Sequence, residues 1–351
     1  MIDEDKYKEE LRQYVVENES LMRQLGGGRF LITGAAGLIG SYVADLLAVS
    51  KLEFGIDVKV IACDRDAQLM KQRFHLISSD VVECHVIDIC RDELPDCKVD
   101  YIIHAASNTS PTDYAEKPID TIWTNVYGTK RLCDFAVSKK VKRFLFCSSV
   151  EAYGRNNGDV EAFREDYSGY VDCNTVRANY PTSKRCSEAL LNAYGSECPG
   201  FDFVIARIGR FYGPTVIAGD SKAPSQFISN AVNGEDIVMK SDGSQLYSWG
   251  YVGDCATALL TLIAKGIRGE AYNIADPQSC RTLKDFATIA ASAGDVSIRF
   301  VEQSAIEKAG YSKITKAVLD VSKLQSLGWS AKTHLETGIP LTVNYLKKGT
   351  L

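Results

Sequence analysis

Short apolar runs alternate with longer segments of mixed polarity from residue 29 onward. Arg29-Phe-Leu-Ile-Thr33, Val58-Lys-Val-Ile-Ala-Cys63, Val81-Val-Glu-Cys-His-Val-Ile87, Tyr101-Ile-Ile-His104, Arg143-Phe-Leu-Phe-Cys147 and Phe203-Val-Ile-Ala206 read as strands buried on both faces. Residues 38–49, Thr121 to Ser138 and Ser183 to Ala193 carry helical patterns between them. Strands alternating with helices predict an α/β fold with a doubly wound parallel sheet. After about Gly213 the segments shorten, with Gly, Asp and Pro punctuation, and predict a smaller mixed α/β lobe. Tyr272-Asn-Ile274 is a candidate strand returning to the sheet. Before residue 28, Tyr7, Leu11, Tyr14, Val15 and Leu21 stand among charges as an amphipathic helix. The expected division is a helical extension over 1–27, the sheet domain over 28–212 and the lobe over 213–351.

Composition narrows the class. The chain has 351 residues, 45% of them hydrophobic, ample for a sizeable core. A net charge of −5 leaves no basic footprint for nucleic acid or an anionic membrane. The charged opening segment lacks the apolar run of a signal peptide, and no stretch approaches the roughly 18 apolar residues of a membrane helix. A cytoplasmic location is expected. Eleven scattered cysteines with no CxxC pair predict free, buried thiols. His75, His85, His104 and His334 show no metal-ligand spacing, so no metal site is expected.

Between the first strand and the next helix stands Thr33-Gly34-Ala35-Ala36-Gly37-Leu38-Ile39-Gly40. Gly34 permits the tight turn, Gly37 lets backbone approach a pyrophosphate, and Gly40 lets the helix pack closely on the sheet. Ala36, Leu38 and Ile39 lie within the same cradle, where the helix N-terminus offers free N–H groups and a positive dipole end. Together they predict a Rossmann-type dinucleotide site. Asp64 ends the second strand, 30 residues after Gly34. Leu52 to Asp57 reads as extra loop that absorbs the long spacing. A carboxylate at Asp64 would bind the ribose hydroxyls and repel a 2′-phosphate, which favours NAD; Arg65 beside it keeps NADP open. Asp66 reads as a helix cap.

Tyr180-Pro-Thr-Ser-Lys184 puts a phenol and an ammonium on one helix face. The lysine and an oxidised nicotinamide would favour phenolate and make Tyr180 a general base. Ser149 falls at the end of the fifth strand, where ligands of an open α/β sheet bind, and can hydrogen-bond the hydroxyl that Tyr180 deprotonates. Ser148 reads as a turn residue.

These residues, with Asp88-Ile89 and His104-Ala-Ala, resemble the extended short-chain dehydrogenases/reductases, the NAD-dependent sugar-nucleotide epimerases, dehydratases and decarboxylases. The likeness spans roughly residues 28 to 347 and includes Leu319-Asp-Val-Ser-Lys-Leu-Gln-Ser-Leu-Gly-Trp329. It implies that Ser149, Tyr180 and Lys184 form the catalytic triad. It places Asp88 and Ile89 at the adenine, and Ala105, Ala106, Ser107 and Asn125 beside the cofactor. It also implies a homodimer formed through helices near 118–139 and 179–197. The segment His104-Ala-Ala-Ser-Asn-Thr-Ser-Pro-Thr-Asp-Tyr114 is similar to that of UDP-glucuronate decarboxylases and brings Ser107, Thr109 and Tyr114 to the substrate. Glu151 matches the glutamate of decarboxylases and 4,6-dehydratases. Val150 stands where the dehydratases carry a proton-donating aspartate.

The sequence also departs from the family pattern. Arg210 replaces an asparagine that touches substrate, while Thr215 and Tyr247 replace two diphosphate-binding arginines. Arg177, Arg210 and Lys222 are candidate substitutes, unless the substrate is not a standard UDP-sugar. Tyr247 itself remains a candidate substrate contact. The resulting expectation is transient oxidation of a nucleotide-activated sugar at C4 by tightly held NAD, with the outcome of a UDP-glucuronate decarboxylase. A 4-epimerase or 4,6-dehydratase is the alternative, and a non-catalytic NAD-binding scaffold or sensor is the alternative of another class. Asp64→Ala is expected to narrow the preference for NAD over NADP. A binding ratio for the two cofactors that matches wild type would count against Asp64 as the ribose ligand.

Overall fold

The computed structural model describes residues 2–74, 79–109, 111–302 and 315–346; His75 lies outside them. Six strands follow in order: β1 (Arg29–Thr33), β2 (Lys59–Asp64), β3 (Val82–Val86), β4 (Tyr101–His104), β5 (Arg143–Ser149) and β6 (Phe203–Ile208). The chain then builds β7 (Arg210–Tyr212), β8 (Ile237–Met239) and β9 (Leu246–Tyr251), and returns as β10 (Ala271–Ile274). β11 (Cys280–Thr282), β12 (Ile298–Phe300) and β13 (Lys316–Ala317) follow. The main sheet has seven strands in the order β10-β6-β5-β4-β1-β2-β3, all parallel. Its order reverses between β1 and β4, which opens a crevice at their carboxyl ends. The lobe joins β11, β9 and β13, with β7 alongside β9, and pairs β12 with β8.

Both faces of the main sheet are covered, which explains its unbroken apolar strands. Phe30, Ile32, Val60, Ala62, Leu145, Val204 and Ala206 enter one buried cluster. Leu31, Ile61, Cys63, Phe144, Phe146, Phe203 and Ile205 enter the other. All eleven cysteines are unpaired: four are buried and three exposed, so the expected thiols are less uniformly buried than composition suggests. No helix among the described residues is long and apolar enough to cross a membrane.

Several boundaries differ from the sequence pattern for local reasons. The expected helix over 4–24 is two helices, Glu4–Glu17 and Glu19–Gln24. They part at Asn18, whose side-chain amide donates to the Tyr14 carbonyl at 2.9 Å. Leu52 to Phe54 are not loop: helix Leu38–Phe54 continues through them and stops at Gly55, in the left-handed conformation with φ 64°. Within the segment 121–138 the backbone forms a π turn over Thr124–Gly128. Such a turn re-aims side chains, and here it directs Asn125 toward Ser107 and Ser183, at 2.7 and 2.8 Å. Ser148 is not a turn residue. It lies inside β5 and its hydroxyl donates to Glu188 at 2.5 Å.

Helix Glu4–Glu17 packs between the two halves of the molecule through buried acids and phenols. Glu10 accepts from Tyr42 at 2.6 Å and Tyr251 at 2.7 Å. Tyr7 donates to Asp45 at 2.8 Å, and Tyr14 to Asp254 at 3.2 Å. Burial pushes the carboxyls of both aspartates up to about 7. Between the ordinary carboxyl range near 4 and about 7, the folded chain therefore holds protons that the unfolded chain has released. This contribution to stability is fully present below that window and is lost as pH rises through about 7. Urea unfolding should show lower stability at about pH 8 than at about pH 5, and Asp45→Asn with Asp254→Asn should flatten that difference. An undiminished difference in the double variant would remove these carboxyls as its source.

Candidate active site

A cleft of about 920 Å³ opens at the carboxyl ends of the strands, between the sheet and the lobe. Its cofactor side is built by close backbone approach. Gly34 has φ +67°, and a Cβ there would lie 2.8 Å from the Ala105 carbonyl carbon; at Gly40 it would lie 2.3 Å from the Gly34 oxygen. Only hydrogen fits at either position. Gly37 starts helix Leu38–Phe54 without a side-chain cap, so the first amides are left for a ligand. Gly34, Gly37, Leu38, Ile39 and Gly40 all line the cleft. Asp64 is braced against this loop, accepting from the amides of Ala36 and Asp66 at 3.1 Å each. Asp66 caps the next helix through the Leu69 amide at 2.9 Å. Arg65 is held by Asn108 at 2.7 Å and Asp120 at 3.1 Å, which draws it away from the role of a 2′-phosphate receptor. These groups fit a dinucleotide with free ribose hydroxyls.

Other expected cofactor residues divide between wall and support. Ala105 and Ser107 line the cleft. Ala106 turns its amide to the Thr33 hydroxyl at 3.3 Å. Asn125 stands behind Ser107, fully buried. Asp88 and Ile89 are not brought to the cleft wall. Asp88 folds its carboxylate onto the Cys90 amide at 2.9 Å, and the buried Ile89 side chain packs against Gly128.

The catalytic candidates do converge. Tyr180 and Lys184 lie one turn apart on helix Asn179–Glu197, and both line the cleft with Ser149 and Glu151. The Lys184 ammonium donates to the Cys147 carbonyl at 2.9 Å and sits 4.8 Å over the Phe146 ring and 5.7 Å over Tyr180. Burial lowers its pKa to about 8. Ser149 accepts from the Glu151 amide at 3.2 Å, which fixes the short turn after β5. The expected depression of the Tyr180 phenol requires the oxidised nicotinamide beside it. The phenol itself is pushed up to about 12, first by burial and then by the Glu151 carboxylate, against the Ser149 hydroxyl, Arg177 and Tyr114. Desolvation of the phenolate therefore outweighs Arg177 in the protein alone.

On the substrate side the arginines separate. Arg177 lies against Glu151, at 2.7 and 2.6 Å from its two oxygens, and 4.6 Å over the Tyr114 ring. Tyr114 in turn lies 4.7 Å from Tyr180 between ring centroids. Arg177 thus sits in the corner with Glu151, Tyr114 and Tyr180. Arg210, on β7, stacks 3.8 Å over Tyr247 on β9. Among the described residues Arg210 pairs with no carboxylate, and its buried Nε has no partner. Lys222 bridges Asp220 at 3.1 Å and Thr109 at 3.2 Å. Thr215 is buried away from the cleft, bound to the Leu38 carbonyl at 2.7 Å. Sequence reasoning missed Gln245, a cleft residue whose buried Oε1 has no hydrogen-bond partner; a lone glutamine carries no signal for it. Among the described residues no group of three or more His, Cys, Asp or Glu side chains is placed to hold a metal ion.

The chain matches a known family model, the NAD dependent epimerase/dehydratase family, over residues 30–275. The chain belongs to that family. It is an NAD-dependent enzyme. Its relatives include UDP-glucuronic acid decarboxylase 6 of Arabidopsis thaliana, 33% identical over 89% of this chain and 87% of the relative. UDP-glucuronic acid decarboxylase 1 of Xenopus tropicalis is 31% identical over 91% of this chain and 72% of the relative. Among solved structures, the UDP-glucuronic acid 4-epimerase of Bacillus cereus, in complex with UDP-glucuronic acid and NAD, shares the fold. It has a TM-score of 0.75 and 21% identity over 90% of this chain and 98% of that one. Tyr180→Phe is expected to abolish turnover while retaining NAD, because only the phenolic proton site is removed. Turnover near that of wild type would refute the assignment.

Proposed function

We propose that this enzyme decarboxylates a nucleoside-diphosphate glucuronic acid, as the names of its relatives state for them. The observation that carries this reading is Glu151, held by Arg177 at 2.6 Å beside Tyr180, while the neighbouring Val150 has no proton to give a departing hydroxyl. Bound NAD supplies the hydride acceptor at C4 of the sugar and the donor that returns the hydride. Tyr180 takes the proton of the C4 hydroxyl, and Ser149 hydrogen-bonds the same oxygen. The ammonium of Lys184 favours the phenolate in that step. A 4-keto sugar acid is a β-keto acid: the C5–C6 bond breaks, its electron pair passes into the C4 carbonyl and carbon dioxide leaves. A proton from solvent, relayed through the Glu151 carboxylate, reaches C5, and Tyr180 returns its proton to O4 as the carbonyl is reduced.

Arg210, stacked on Tyr247, takes the diphosphate in this reading, with Lys222, Thr109 and Ser107 along the cleft. Residues 28–212 hold the cofactor, the lobe after residue 213 closes over the substrate apart from the segments that return to the sheet domain, such as β10, and the N-terminal helices brace the two. The homodimer forms across helices Pro118–Trp123, Thr129–Lys139 and Asn179–Glu197; exposed Ile119, Ile122 and Trp123 near this face favour it.

Mass spectrometry of UDP-glucuronate incubated with the pure protein and NAD tests the reading. Loss of carbon dioxide is the expected result. A product of unchanged mass with inverted C4 would make the enzyme an epimerase, and an unconsumed substrate would overturn the sugar acid as substrate.

A further inference from the structure

Glu188 is a buried carboxylate that the proton step does not use. It lies one turn after Lys184 on helix Asn179–Glu197, and residues four apart share a helix face. The two side chains grip consecutive residues of β5. Lys184 donates to the Cys147 carbonyl at 2.9 Å, and Glu188 accepts from the Ser148 hydroxyl at 2.5 Å. Arg207, opposite Ser148 in the pairing of β5 with β6, donates to the same carboxylate at 3.1 and 2.7 Å. Its guanidinium lies 4.7 Å over the ring of Tyr153, on the short turn that carries Glu151, and donates to the Glu165 carbonyl at 2.7 Å. Glu188 thus serves two cations: it is bonded to Arg207 and sits one turn from Lys184.

Lys184 is 2% exposed and Glu188 7%, so their charges act on each other with little screening. Two other titratable groups face the ammonium from the sheet, and burial keeps both neutral. The thiol of Cys147 on β5 is pushed up to about 12, and the imidazole of His104 on β4 down to about 3. Tyr180, on the same helix, is a protonated phenol in the protein alone. Around Glu188 the ionisable neighbours are Arg207, Arg185 and the Tyr153 phenol. Glu188 is therefore the carboxylate that opposes the desolvation of Lys184.

We propose that Glu188 is a positioning residue for the proton step: its carboxylate keeps Lys184 an ammonium and holds the Tyr180–Lys184 turn in register with Ser149, while Arg207 and Ser148 fix that carboxylate in place. The assignment rests on the reading of Tyr180 and Lys184 as the proton-handling pair.

Titration of Lys184 in the NAD-loaded protein tests it, followed by NMR of the isotope-labelled ε-carbon and assigned by the loss of that signal in Lys184→Met. Glu188→Gln should lower the midpoint by about one pH unit or more, the scale of removing one opposite charge beside a buried group. From a wild-type midpoint of about 8, turnover of UDP-glucuronate by this variant should fall about fivefold at about pH 8 and draw level with wild type at about pH 6, where the lysine is charged in both. A purely structural role would lower turnover at both pH values and leave the midpoint in place. Glu188→Asp keeps the charge and should restore most of the midpoint. Should Glu188→Gln fail to fold, Arg207→Gln supplies the opposite sign: it leaves the carboxylate to Lys184 and should raise the midpoint. An unmoved midpoint in folded Glu188→Gln, or a lowered or unmoved one in Arg207→Gln, overturns the proposal. A Tyr180→Phe variant that turns over normally refutes the assignment on which the proposal rests, whatever the midpoint. A lowered midpoint with UDP-glucuronate left untouched by wild type supports the role of Glu188 and overturns only the sugar acid as substrate.

Discussion

Lys184 is a cation buried where the central sheet ends, and the arrangement of the reacting groups depends on how that charge is held. Its ammonium reaches the Cys147 carbonyl at 2.9 Å, at the point where β5 runs out toward Ser149. A desolvated ammonium is tolerated only with such partners, and here a carbonyl and two aromatic faces share the task. The same contact pins helix Asn179–Glu197 to β5. Tyr180, one turn earlier on the helix, is thereby set beside Ser149, and Glu151 follows on the short turn after the strand. Burial leaves Lys184 with a pKa of about 8 and Tyr180 with one of about 12, so the phenol is protonated in the protein alone. Additional positive charge beside the ring is what would favour its ionised form.

Charge in the cleft is sorted rather than spread. Arg65 is occupied by Asn108 and Asp120, Arg177 by Glu151, and Lys222 by Asp220. Arg210 differs, being supported by an aromatic face instead of an acid. A guanidinium stacked on a ring keeps its donors directed outward in its plane, a geometry suited to phosphate or carboxylate. Thr215 is a buried tie between the lobe and helix Leu38–Phe54, and Tyr247 is the platform under Arg210.

The N-terminal helices belong to the body of the protein. Glu10 joins Tyr42 of the pyrophosphate helix to Tyr251 of the lobe, and Tyr14 reaches Asp254 and Thr333. A buried acid serving two phenols binds three distant segments at one point. This extension therefore ties cofactor side and substrate side together behind the cleft.

Periodicity along the chain was enough to establish the layered α/β fold, because strands buried on both faces leave an unmistakable apolar run. The glycines at 34, 37 and 40 and the pair Tyr180–Lys184 were legible for the same reason: their requirements are local, a turn, a close approach, or one helical turn between two side chains. The N-terminal segment was legible as amphipathic but not as the bridge it forms, since the partners of Glu10 lie 32 and 241 residues away. Nothing in the sequence separated the tasks of Arg177 and Arg210, or told Asp64 on the cleft from Asp88 folded back on its own loop. The direction of the Tyr180 shift was also hidden, because it is the balance of burial against surrounding charges. Those outcomes depend on through-space distances and on desolvation, which only the packed chain decides.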